Sequence, residues 1–217
     1  MKIKKFIFLI ILMISIILIF PKEVLADQEL NELDFEAQIN EDGSMDVTET
    51  WNIYISETNT LFKTFEKDKS KYSGITNVMV KEITSSQQKE FSQIDEEMYH
   101  VTKDCFYALD NSKGNFEIAW GVGLDDDSAT KVYQISYTVE DAIAKYNDYA
   151  ELYWKFIGDD FEIDADNIKG TILLPSNANS KDEIRVWGHT EGLNGEIYAT
   201  APNKIEFSIN KYSAGNF

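Results

Sequence analysis

From Phe35 to Ile209 the apolar residues of this chain recur at every second position, in short runs broken by turn signals. That period is the mark of strands with one buried face. The run Thr130–Val139 is the clearest case. Tyr133, Ile135, Tyr137 and Val139 share one face, and Val132, Gln134, Ser136 and Thr138 share the other. Phe35, Ala37 and Ile39 alternate in the same way. They lead into the turn signal Asn40–Ser44, where Asp42-Gly43 supplies a positive φ. Met45, Val47, Trp51, Ile53 and Ile55 continue beyond it, so a hairpin with a long second strand is expected. Glu49 interrupts the apolar face of that strand, which predicts a bend or an edge there. Ile75 and Val80 lie on opposite parities, which predicts an irregularity near Asn77.

The same reading predicts strands near Glu90–Ile94, Tyr99–Leu109, Asn115–Val122, Glu151–Gly158, Asn167–Pro175, Asp182–Gly188, Gly195–Thr200 and Lys204–Ile209. Residues 57–71 read as a connecting loop. Asp141–Tyr146 is the one helical candidate, a turn or two at most. Frequent turns, little helical periodicity and only 3 prolines argue an all-β chain. The expected fold is an antiparallel β-sandwich, immunoglobulin-like in general architecture. No repeat or linker divides residues 27–217, so one domain is expected.

The first residues have a different character. Lys2, Lys4 and Lys5 precede an apolar run, Phe6–Phe20, broken only by Ser15. Pro21 and the small-residue pattern at Val24-Leu25-Ala26 follow. This is the pattern of a secretory signal peptide over residues 1–26, cut between Ala26 and Asp27. An uncleaved anchor is the rival reading, and the run is short of the ~20 residues that span a bilayer. Cleavage removes four lysines and one glutamate, so the formal charge moves from −18 to −21. Such a surface repels phosphate backbones, which excludes nucleic acid as a partner. The single cysteine, Cys105, leaves no internal disulfide and reads as a small buried apolar side chain.

Several segments taken in order carry a resemblance. They are Asp42-Gly43-Ser44-Met45-Asp46-Val47-Thr48-Glu49, then Tyr72–Val78, and then the block Tyr146-Asn147-Asp148 … Glu151-Leu152-Tyr153-Trp154 … Ile157-Gly158. Ile172–Pro175 and Trp187-Gly188-His189 complete the set. In these the chain resembles the N-terminal extracytoplasmic domain of the predicted bacterial membrane protein family known as domain of unknown function 2207. The resemblance implies a β-sandwich outside the cytoplasmic membrane. It also implies membrane association in a longer form, since members of that family continue into transmembrane helices. Its motif residues here are Tyr146, Asp148, Glu151, Tyr153, Trp154, Gly158 and Pro175, read as structural. The family lends no catalytic residue.

The residues alone offer little chemistry. His100 and His189 with one Cys are too few for a zinc site, and no G-x-S-x-G elbow is present. Calcium is the cofactor that the acid runs would suit, through Asp125, Asp126, Asp127, Asp160 and Asp164. The EF-hand pattern fails, because the place that needs glycine is Ala165. Acids alternating with Phe161, Ile163 and Ala165 equally describe an extended segment with one wet face. Within Leu152–Phe156, parity sets Leu152, Trp154 and Phe156 toward the core and Tyr153 away from it. Asp148 is placed to fix the turn before that strand. The expected function is a non-enzymatic interaction or sensing module. Its partner would be an envelope protein or a cell-wall component. A secreted carbohydrate- or calcium-binding module is the alternative.

Overall fold

The computed structural model describes residues 28–125, 127–158, 161–188 and 194–214. The signal segment with Ala26 and Asp27, and also Asp126, Asp160 and His189, lie outside the described residues. The strands are β1 (Gln28–Ile39), β2 (Met45–Ser56), β3 (Thr60–Phe65), β4 (Gly74–Ile83), β5 (Gln88–Glu90), β6 (Ser92–Gln93), β7 (Cys105–Asp110) and β8 (Phe116–Gly121). They continue as β9 (Ser128–Glu140), β10 (Ile143–Lys145), β11 (Ala150–Leu152), β12 (Asp164–Ala165), β13 (Ile168–Leu173), β14 (Gly195–Ala201) and β15 (Lys204–Ile209).

The large sheet runs β14-β15-β13-β1-β2-β9-β4-β5, with β12 beside β1. The small sheet runs β3-β8-β7-β6, and β10 and β11 form a separate ribbon. Most neighbours are antiparallel; β1 takes β12 and β13 in parallel, and β6 takes β7 so. The result is an all-β sandwich. Its sheets meet through large rings. Trp51 of β2 meets Trp120 of β8 edge-on at 5.3 Å, and Phe65 of β3 meets Tyr137 of β9 at 5.0 Å. Each fully buried side chain of this size contributes about 2–3 kcal/mol.

The alternation seen in the sequence is the alternation of burial. Tyr133, Ile135, Tyr137 and Val139 are all buried. The β1–β2 hairpin closes at Gly43, whose φ of +97° suits glycine. The register of β4 against β9 slips between Thr76 and Met79, where Asn77 takes a φ of +52°. That slip returns both Ile75 and Val80 to the core.

Other expectations are corrected. Residues 57–71 contain β3, with Leu61, Lys63 and Phe65 all facing inward; an inward lysine had disguised its parity. Asp141–Tyr146 is not helical, and Ile143–Lys145 pairs with Ala150–Leu152. Only the first two residues of Glu151–Gly158 pair; the rest makes no ladder and bends at Phe156 and Ile157. Asp182–Gly188 holds a short 3-10 turn, Lys181–Glu183, and no strand. Tyr99 and His100 lie exposed ahead of β7. Cys105 is half-buried rather than buried. Glu49 marks neither a bend nor an edge, since β2 pairs without a break on both sides of it.

The sandwich has two distinct poles. At one, Glu29 pairs with Asp164, whose carboxylate accepts the Ala214 N–H at 2.7 Å. Residues 28 and 214 therefore emerge at the same pole. The twelve residues of β1 carry the chain about 35 Å to the other pole. There the Ile143 N–H donates to the Gly43 carbonyl at 3.1 Å, which docks the β10–β11 ribbon on the β1–β2 turn.

Candidate functional site

Two constellations stand out: a buried charged cluster between the sheets, and an exposed tyrosine face at the far pole. The first is built by strand parity. Glu49 occupies an inward position of β2, and Lys63 an inward position of β3 in the facing sheet. Glu49 is 0% exposed and Lys63 7%. Lys63 Nζ lies 2.8 Å from Glu49 Oε1. The Tyr137 hydroxyl donates to the same oxygen at 2.6 Å, and Trp51 Nε1 donates to Oε2 at 2.9 Å. Lys63 Nζ also donates to the Phe156 carbonyl at 3.0 Å and lies over the rings of Phe35 and Phe65. Burial, reinforced by the Glu49 charge, pushes the Tyr137 phenol well above its ordinary value. A carboxylate whose two oxygens are both held by donors in a dry core acts as a fastening.

The fastening reaches the signature segment through Phe156. The described residues 152–158 and 161–165 act as a strap whose rings pack on the sheets. Trp154 packs on Phe65 and Tyr72, with ring centres 6.1 and 5.4 Å away. Phe156 packs on Phe35 and Phe207, at 5.2 and 5.0 Å. Phe161 packs on Trp51 and Tyr212, both at 5.7 Å. Trp154 thus reaches β3 of the small sheet, and Phe156 and Phe161 reach the large sheet. Beneath the strap, a Cβ on Gly170 would lie 2.3 Å from the Phe207 ring, so only glycine fits there. A Cβ on Gly158 would meet nothing closer than the Thr64 carbonyl oxygen at 3.6 Å. Pro175 is exposed just past the end of β13.

The tyrosine face belongs to the β10–β11 ribbon. The register pairs Ile143 with Leu152, Ala144 with Glu151 and Lys145 with Ala150. Ile143 and Lys145 lie against Gly43. By alternation Ala144, Tyr146, Tyr149, Glu151 and Tyr153 take the opposite, outward face. Tyr146, Tyr149 and Tyr153 are 53%, 56% and 43% exposed. The rings of Tyr146 and Tyr149 stack at 4.5 Å across a turn closed by the Tyr146 N–H on the Tyr149 carbonyl. Asp148 is exposed in that turn. Lys71 Nζ sits 3.7 Å from the centre of the Tyr153 ring.

Among the calcium candidates, Asp125 and Asp127 are exposed in the loop before β9, and Asp164 is engaged by Ala214. The described residues hold no group of three or more His, Cys, Asp or Glu placed to bind a metal. His100 packs edge-on against Tyr99 at 4.4 Å. The sequence reading missed the Glu49–Lys63 pair. Its signal was present as one charged residue at an inward parity on each of two strands, and only the sheet topology joins them.

No described helix is long and apolar enough to cross a membrane. No curated protein matches the chain. A solved structure described as a "putative protease" from Parabacteroides distasonis is similar at 7% identity with a TM-score of 0.45. The similarity covers 87% of this chain but only 36% of that one. A likeness of that size carries nothing about activity. The family model described as "Predicted membrane protein (DUF2207) N-terminal domain" matches residues 29–217, and the chain belongs to that family.

Proposed function

We propose that this domain is a non-enzymatic interaction or sensing module, exported across the cytoplasmic membrane and held near it. Its partner is an envelope protein. The observation that carries this reading is the polarity of the sandwich. Residues 28 and 214 share one pole, and the exposed tyrosine ribbon occupies the other, about 35 Å away along β1. A tether on either side of the domain holds the first pole toward the bilayer and turns the ribbon toward the surroundings. Exposed tyrosines on a short two-stranded ribbon suit recognition, because they offer amphipathic contact area at low entropic cost. The buried fastening and the strap keep the platform rigid behind them.

The test is capture from envelope extract by the native full chain, beside the acid-unfolded chain as control. The expected result is a defined envelope protein retained by the folded chain alone. Equal retention by both forms, or a measured turnover with no retained partner, contradicts the reading.

A further inference from the structure

The tyrosine ribbon also carries information about the chemistry of its partner. We infer that the outward face of the β10–β11 ribbon is a docking surface for a cationic segment of a partner protein, taking Lys or Arg side chains onto Tyr146 and Tyr149. This rests on the interaction reading above and names the partner's chemistry.

Three observations support it. First, the face is aromatic and open, with Tyr146 and Tyr149 more than half exposed and stacked so that the outer side of each ring remains free. The negative face of such a ring attracts cations. Second, the structure already contains one such contact, in which Lys71 Nζ lies 3.7 Å over Tyr153 on the same face. Third, the charge is complementary. The segment from Asp141 to Leu152 carries Asp141, Asp148 and Glu151 against one lysine. That lysine, Lys145, lies on the opposite face and donates to the Glu41 carbonyl at 3.2 Å. Lys71 on the outward face is itself paired with Asp68 at 3.4 Å, so the outward charge beside the tyrosines is negative, on a chain of formal charge −18. A cation docked on the rings stands within reach of the Glu151 and Asp148 carboxylates, which give it direction and partner choice.

The probe is an alternating Arg-Gly peptide titrated calorimetrically into the full chain, with a Glu-Gly peptide as control. Y146S/Y149S removes the rings and leaves the net charge unchanged. It is expected to weaken the Arg-Gly peptide about tenfold, the size of two exposed cation–π contacts. D148N/E151Q keeps the rings and is expected to weaken it too. Glu57→Gln, at the opposite pole, is expected to leave it unchanged. An equal affinity for wild type and Y146S/Y149S overturns the inference, since the peptide then follows net charge alone. Saturable binding of soluble cell-wall glycan in place of the peptide, lost in Y146S/Y149S, also overturns it. An envelope partner whose capture survives Y146S/Y149S overturns this inference and leaves the interaction reading standing.

Discussion

Removing Glu49 or Lys63 is costly, because each leaves the other without its buried counter-charge. Lys63→Met strips Glu49 of its cation while Tyr137 and Trp51 still hold the carboxylate. It is expected to destabilise the fold by about 3–5 kcal/mol. The double variant Glu49→Leu/Lys63→Met removes both charges and is expected to recover most of that loss. Urea midpoints of the two single variants and the double measure the coupling; simple additivity would contradict the paired geometry. Buried phenols report on the packing of the sandwich. Burial is the largest cause raising Tyr107, Tyr133 and Tyr137 above the ordinary value of 10.0. Their contribution to stability is complete below about pH 10, where the unfolded phenols are also neutral. It is lost as the pH rises above that value, because unfolding then releases protons. Absorbance at 295 nm is therefore expected to rise in two stages. The late stage should coincide with the loss of near-ultraviolet circular dichroism.

At the scale of elements the strap of residues 152–158 and 161–165 is the distinctive part. Its described residues 153–158 and 161–163 make no ladder; among its contacts are the rings, the Lys63 bond to the Phe156 carbonyl and the Tyr212 hydroxyl donating to the Phe161 carbonyl. Trp154→Ala is expected to cost about 2–3 kcal/mol, below the ~3–5 kcal/mol of a fully buried tryptophan. It should also speed tryptic cleavage after Lys155 under native conditions. Unchanged cleavage would mean that the strap is held from elsewhere. Gly170→Ala forces a methyl against Phe207 and is expected to cost about 1–3 kcal/mol by urea unfolding. This element also marks where sequence reading ends. The faces of Leu152, Tyr153, Trp154 and Phe156 follow from alternation, and the bulge at Asn77 follows from a change of parity. Both are local signals. Residues 57–71 misled because Lys63 occupies the inward place where an apolar residue was sought, and Glu49 misled for the same reason. A buried ion pair is written in two distant strands and becomes visible only when their sheets are stacked. Whether Leu152–Phe156 pairs or runs free depends on which strands lie beside it, and no local pattern records that.

At the scale of the whole molecule, the function proposed above makes the domain a spacer between a tether pole and a presenting pole. The chain-end pole carries Glu29, Glu57, Asp125, Asp127 and Asp164. Anionic headgroups repel such a surface, so the proposed tether, and not the pole itself, would hold the domain near a bilayer. Photo-crosslinking in intact cells tests this account most directly. A photoreactive phenylalanine analogue is placed at Tyr149 on the ribbon and, separately, at Asp127 on the chain-end pole. The account predicts a discrete protein adduct from position 149 and none from position 127. An adduct from position 127 with none from position 149 would contradict it.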